Sequence, residues 1–312
     1  MYDTIHLYLR QDLVDSVDML SEVPPCLDSY TTHENLKGLY YTGHLKNLTL
    51  SVSRKGVSIK GSLSKYYFGT NTKSLNRATT ERAIIKLSNE LQLPLSIGSI
   101  SRVDFGINCI MKYKPTFYFN YLGESQYYKR SQFLNTLFYI NGNRTKAFYD
   151  KLLEMKKNKE SIPDDWNGKN ILRYEIRHSR RLSKQLKEPD IKVSSLYQNV
   201  FYTKMFKRFK EGFMTIHKVP EFNLDIENMN TPKDLFDQLV LMQIKEMGID
   251  GFNGLIERLR EMDAFNRPEY YSKAKSEARN KMKRFKSNES ENPINELLSK
   301  IDRVYEPCGS IA

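Results

Sequence analysis

Apolar and polar side chains alternate over residues 4–9, the period of a strand with one face in a core. The alternation returns over residues 48–53 and, after an Arg-Lys-Gly turn, over 57–60, which predicts a hairpin. Residues 76–91 change to a helical period, with Ala83, Ile84, Leu87 and Leu91 on one side and Pro94 just past the end. Residues 99–111 predict a long strand. Residues 133–141 and 145–149 predict two more joined across Gly142-Asn143, and a helix over 152–159 precedes a final strand over 171–177. Beyond residue 178 the pattern becomes helical. A helix over 233–247 begins behind Thr231-Pro232 and stops at Gly248, followed by helices over 252–262, 269–285 and 293–304, with a polar loop at 286–292. The expected fold class is α+β: an antiparallel-sheet domain over residues 1–185 and a mainly helical domain over 186–312.

Charge narrows the partner. The chain has 49 Lys and Arg against 37 Asp and Glu, a net charge of +12 over 312 residues, and such a surplus points to a polyanion, DNA or RNA first. The 20 Tyr and 16 Phe argue against disorder. The three cysteines, Cys26, Cys109 and Cys308, form no CxxC pair, which argues against a thiolate zinc site and fits a reducing compartment. The first residues carry acids and no long apolar core, and no apolar run reaches the roughly 18 residues of a membrane span. The expectation is a soluble, cytoplasmic protein without a membrane partner.

Three segments put charge on otherwise apolar strands. In Arg102-Val-Asp104-Phe, Arg102 and Asp104 share a face because strand side chains repeat every two residues. In Tyr149-Asp-Lys151-Leu-Leu-Glu154, a strand end would put Tyr149 and Lys151 on one face. In Leu172-Arg173-Tyr174-Glu175-Ile176-Arg177, the charged residues line one face and Tyr174 and Ile176 the other. Carboxylates on adjacent strands, Asp104 and Glu175, suit a hard cation such as Mg²⁺ or Mn²⁺ with positions left open for phosphate. A tyrosine hydroxyl, of pKa about 10, needs a nearby cation, base or metal to act as a nucleophile, and Lys151 is a candidate. The arginines would brace the acids or hold phosphate oxygens. Alternating Arg and Glu also suits a solvated face with cross-strand ion pairs, and a tyrosine among 20 also suits packing.

Together and in this order, SRVDFGINC, FYDKLLE and LRYEIR resemble the replication endonucleases of filamentous phages, the gene II/X replication initiators. That family carries Arg-x-Asp, Tyr-x-Lys-x-x-Glu and Leu-x-Arg-aromatic-Glu-x-Arg. The start Met-Tyr-Asp-Thr-Ile and the stretches at 57–65 and 68–71 are similar to the family's N-terminal part, so the resemblance covers roughly residues 1–180. It implies a rolling-circle initiator that nicks the plus-strand origin, joins the 5′ phosphate through Tyr149 and leaves a 3′ hydroxyl for polymerase, with Lys151 and Glu154 in the catalytic set. Many rolling-circle nickases bind metal through two histidines flanking one residue. Here His6, His33, His44, His178 and His217 are scattered, so either carboxylates hold the metal or a lone histidine joins them; His178 lies within reach just past Glu175, but a surface position beside its basic neighbours suits it better.

DNA contacts are expected from Arg102, Arg173, Arg177, Arg180, Arg181 and Lys184, and from basic residues at 204–210 and 273–286. Tyr197, Phe201, Tyr202, Phe206 and Phe209 would either stack on bases or form the apolar face of a helix. Host helicase and polymerase are the further expected partners. A relaxase of a mobile element and a non-catalytic origin-binding protein are the alternatives.

Overall fold

The computed structural model describes residues 1–36, 38–219, 229–284 and 292–305. Among these, eleven strands precede residue 180: β1 (Tyr2–Arg10), β2 (Ser29–Asn35), β3 (Gly38–Leu45), β4 (Leu48–Ser53), β5 (Gly56–Ser62), β6 (Ser99–Met111), β7 (Leu122–Ser125), β8 (Lys129–Phe133), β9 (Thr136–Ile140), β10 (Arg144–Asp150) and β11 (Asn170–His178). Ten of them form one antiparallel sheet in the order β2-β3-β4-β5-β1-β6-β11-β10-β9-β8. The remaining strand, β7, pairs with β12 (Ile216–Lys218). The segment expected to be the final strand is therefore followed by one more.

The local chemistry explains the turns and caps that fix this order. At the β9–β10 turn, Asn141 Oδ1 accepts from the N–H groups of Asn143 and Arg144 at 3.0 and 2.8 Å, the asparagine turn that Gly142-Asn143 foreshadowed. The helix Arg77–Leu91 starts at Asn76, whose side chain accepts from Thr79 N–H while the Thr79 hydroxyl oxygen accepts from Asn76 N–H.

Alternation on β6, β10 and β11 divides the sheet. One face carries Val103, Phe105, Ile107, Phe148, Tyr174 and Ile176, all buried. Over it lies the helix Asn199–Met214, with Phe209 4.4 Å from Tyr174 and 5.5 Å from Phe105 between ring centroids. Full burial of a side chain of this size contributes about 1.5–3 kcal/mol. Phe201, Phe206 and Phe209 are buried in this core, so the aromatics of that helix form its apolar face rather than a stacking platform. The other face of the same strands carries charge.

The chain divides into two compact units, residues 1–219 together with 293–312, and residues 220–292. The boundary expected at 185 falls inside the first unit, because Leu186, Val193, Leu196 and Phe213 all join the sheet's core. The helix Pro293–Tyr305 returns to that unit with Ile294, Leu297 and Ile301 in the same core. The second unit holds the helices Pro232–Met247, Ile249–Glu261 and Glu269–Arg284, with Leu241, Ile244, Ile256, Tyr271 and Ala278 buried. Within it Lys281 pairs with Asp237 at 2.7 Å, and Lys275 with Glu257. Lys286, most of the expected 286–292 loop and Cys308 lie outside the described residues. Cys26 and Cys109 are unpaired thiols. Among the described residues no helix is long and apolar enough to cross a membrane.

Candidate active site

The charged face centres on β6 and β11. Glu175 pairs across the ladder with Gly106, Arg177 with Asp104, and Arg173 with Asn108. Gly106 leaves room for the acid opposite: a Cβ there would lie 2.6 Å from Glu175 Cβ and 2.8 Å from Tyr174 O. On the far side of β11, Tyr149 pairs with Arg173. Arg102, Asp104, Arg173, Glu175, Arg177 and Tyr149 thus share one face.

Every acid on this face is engaged. Arg102 donates to Asp104 from Nε at 2.9 Å and Nη2 at 2.6 Å, a two-pronged fork. Arg177 donates to Glu175 Oε1 at 2.6 Å and Arg173 to Glu175 Oε2 at 2.8 Å. Arg173 also donates to Asp3 Oδ2 at 2.6 Å and to Asn108 Oδ1 at 3.1 Å, so one guanidinium joins β1, β6 and β11. The Tyr149 hydroxyl donates to Glu175 Oε2 at 3.3 Å.

All of these groups but Arg173 and Asn108 open onto a cavity of about 240 Å³. Its acids are Asp3, Asp104, Glu154 and Glu175, its cations Lys65, Arg102 and Arg177, and Tyr149, Thr4, Ser62 and Asn71 complete the lining. Burial raises the Asp104 carboxyl to about 6, against the fork from Arg102 and with repulsion from Glu175. Burial also works to raise Glu175, but the charges and hydrogen bonds of Arg173 and Arg177 prevail and bring it down to about 2. The Tyr149 phenol is pushed well above its ordinary value by burial, with Arg173 acting against that shift. His6 pairs with Arg102 across the β1–β6 ladder. Burial, Arg102 and Lys60 lower it to about 4.

Three expectations need correction. Lys151 does not share the strand face of Tyr149, because β10 ends at Asp150 and Lys151 opens the helix Lys151–Lys157. Its side chain is fully buried with Nζ 2.5 Å from Glu154 Oε2, and it is the charge of Arg173 that works against the rise of the Tyr149 phenol. Arg173, expected at DNA, is 2 % exposed, and Asp3, Glu175 and Asn108 occupy its three nitrogens. His178 points to the opposite face from Glu175, is buried and bonds Gln185 at 2.8 Å. Of the other basic residues, Arg102 and Arg177 line the cavity, whereas Arg180, Arg181 and Lys184 follow β11 outside the lining. Lys204 and Lys210 pair with Glu188 and Asp302 at 2.6 and 2.7 Å.

Sequence reasoning missed Asp3, Lys65 and Asn71. Their signal lay in the segments at 1–5, 57–65 and 68–71, noted for their resemblance but given no role. Asn71 is buried, and its Oδ1 has no hydrogen-bond partner among the described residues. That orphaned oxygen in the cavity of Asp104 and Glu175 adds to an all-oxygen donor set, the chemistry a hard divalent cation takes. Among the described residues, however, no three His, Cys, Asp or Glu converge as a ready-made metal set, and guanidinium groups occupy both acids.

Comparison with known proteins returns a family match. The Phage_CRI family model, which describes the N-terminal part of a phage replication-associated protein of the gene II type, matches residues 1–201. That span contains β1 to β11 and every residue lining the cavity. No curated protein matches the chain.

Proposed function

The chain belongs to the Phage_CRI family of replication-associated proteins, and on that premise we propose that it initiates rolling-circle replication by nicking one DNA strand through Tyr149. The observation that carries this reading is the Tyr149 hydroxyl 3.3 Å from Glu175, on the sheet face and in the cavity that also hold Asp104.

In the proposed reaction, Tyr149 Oη attacks the phosphorus of the scissile phosphodiester. The Oη–P bond forms, the P–O3′ bond breaks, and the products are a 5′-phosphotyrosyl strand and a free 3′ hydroxyl. The phenol proton passes to Glu175 Oε2, its acceptor, and the departing 3′ oxygen takes a proton from solvent. Glu175 is a weak base while Arg173 and Arg177 both hold it. A DNA phosphate competing for Arg177, the more exposed of the two, removes one of those cations and raises the basicity of Glu175 as Tyr149 must ionise. Arg102 and Arg177 supply donors for the phosphate oxygens. In reverse, a 3′ hydroxyl attacks the phosphotyrosyl bond, rejoins the strand and frees Tyr149. The cofactor proposed is Mg²⁺ or Mn²⁺, which Asp104, the amide oxygen of Asn71 and Glu175 would hold, the last through the Oε1 that Arg177 gives up to phosphate, leaving Oε2 to Tyr149; there it would supply Lewis acidity to the phosphoryl oxygens.

The test uses supercoiled DNA of the replicon that encodes the chain, with Mg²⁺. Nicked circles carrying protein on the 5′ end are expected. Tyr149→Phe should form no adduct on a denaturing gel while still binding DNA, and a normal adduct from that variant would remove Tyr149 from the reaction. Asp104→Ala and Glu175→Ala should not nick, and chelator should stop the parent; full activity in chelator would end the metal proposal.

A further inference from the structure

Beside the polar cavity lies a second one of about 400 Å³, and the two share Tyr149, Glu154 and Arg177. Their linings differ in kind. The register runs one sheet face from Asp104 on β6 and Glu175 on β11, past Tyr149 on β10, to Phe138 on β9 and Phe133 on β8. Charge thus gives way to aromatic surface at the tyrosine. Phe133 is 61 % exposed and the neighbouring Leu134 87 %. Phe138 meets Phe133 edge-on with centroids 6.1 Å apart, and the Arg177 guanidinium lies 5.8 Å from the Phe138 ring. The core does not account for this surface, because β9 fills the core with its opposite side, Leu137 and Tyr139.

The acids at the groove are engaged by protein. Asp150 Oδ1 accepts from Leu153 N–H at 3.0 Å, and Glu154 accepts from Lys151 and Asn158. Lys157 and Arg177 bring positive charge to the same lining.

We propose that this groove seats the unpaired base next to the phosphate that Tyr149 attacks, with Phe133 and Phe138 as its stacking surface. The inference rests on the reading of Tyr149 as the nucleophile. A nucleotide joins a charged phosphate to a flat, largely apolar base, and the paired cavities repeat that division on either side of one hydroxyl. Stacking accepts every base, so the groove grips the strand without reading its sequence. A base still paired in duplex cannot enter, so the groove selects melted DNA.

The experiment measures binding of fluorescein-labelled oligo(dT) to the full chain by anisotropy, with a duplex of equal length as control. Phe133→Ala and Phe138→Ala should each weaken single-strand binding about tenfold and leave duplex binding unchanged. Phe133→Trp should bind like the parent, and its added emission, after subtraction of the parent's Trp166 signal, should be quenched at saturation. Folded alanine variants that bind oligo(dT) within about twofold of the parent, or an indole whose emission does not move, would overturn the groove. The Tyr149 adduct assay separates the two readings. An adduct lost in Tyr149→Phe with unchanged binding in the alanine variants ends only the groove. Weakened binding in the alanine variants, with an adduct that survives Tyr149→Phe, leaves an aromatic DNA groove and ends its pairing with the nucleophile.

Discussion

Glu175 is 4 % exposed and compensates two guanidinium groups, so its charge is structural as well as chemical. Glu175→Gln removes one of the two carboxylates on Arg173 and leaves it Asp3 as its remaining counter-ion. The expected loss is about 1.5–3 kcal/mol in denaturant melts, together with loss of nicking. His178 gives a pH prediction. Burial lowers it from 6.5 to about 4, so the unfolded chain takes up a proton in that window before the folded one does. The histidine's contribution is therefore complete above 6.5 and is lost as pH falls through 4, about 3 kcal/mol in all. Asp104, raised to about 6, acts in the opposite sense, but it does so in parent and variant alike. His178→Gln should therefore gain stability relative to the parent between pH 7 and pH 4, as paired melts at the two pH values will measure. Within one strand alternation decides sides, so the shared faces of Arg102 with Asp104 and of Arg173 with Glu175 and Arg177 were legible, whereas the register that adds Tyr149 to them was not. The burial of Arg173 was not legible either, since it depends on Asp3, which is 170 residues away. Asn71 was equally hidden, because nothing in its neighbourhood states which cavity it will line.

Elements with one buried side were readable, and those without one were not. The 48–60 hairpin, the capped helix ending at Leu91, β6 and β11 all announced themselves by period. β2 is exposed along nearly its whole length, so no alternation marks it, and the β2–β3 hairpin went unseen. β8 was partly merged into β9, because Phe133 continues the apolar pattern across a turn at Leu134-Asn135. Lys151 was misplaced for a related reason: a strand that becomes a helix within one residue changes period from two to 3.6, and a face argument does not survive the change. The close contact of β6 with β11 carries its own prediction. Gly106→Ala forces a methyl group against Glu175 Cβ and Tyr174 O, neither a flexible side-chain end. A loss of about 1–3 kcal/mol and a fall in nicking should appear together when melts and plasmid assays are run side by side.

Over the whole chain, the units do not follow a simple split between front and back, because a helix from the end completes the front's core. Truncation after residue 219 removes Ile294, Leu297 and Ile301, all buried, each about 1.5–3 kcal/mol of burial against a typical total of about 5–15. That truncation should fail to fold. Excision of 220–292 with a flexible bridge should keep a cooperative melt and single-strand binding, and circular dichroism on the two forms decides between these outcomes. Family membership and the net charge of +12 both lead to DNA, and affinity should fall as salt rises. The guanidinium of Arg173, clamped to β1, β6 and β11 at once, carries one more consequence. A centre stitched through the middle strands has no local melting of its own. Amide hydrogens around it should exchange at the pace of whole-molecule opening, and thermal inactivation should track the collapse of the sheet along one curve.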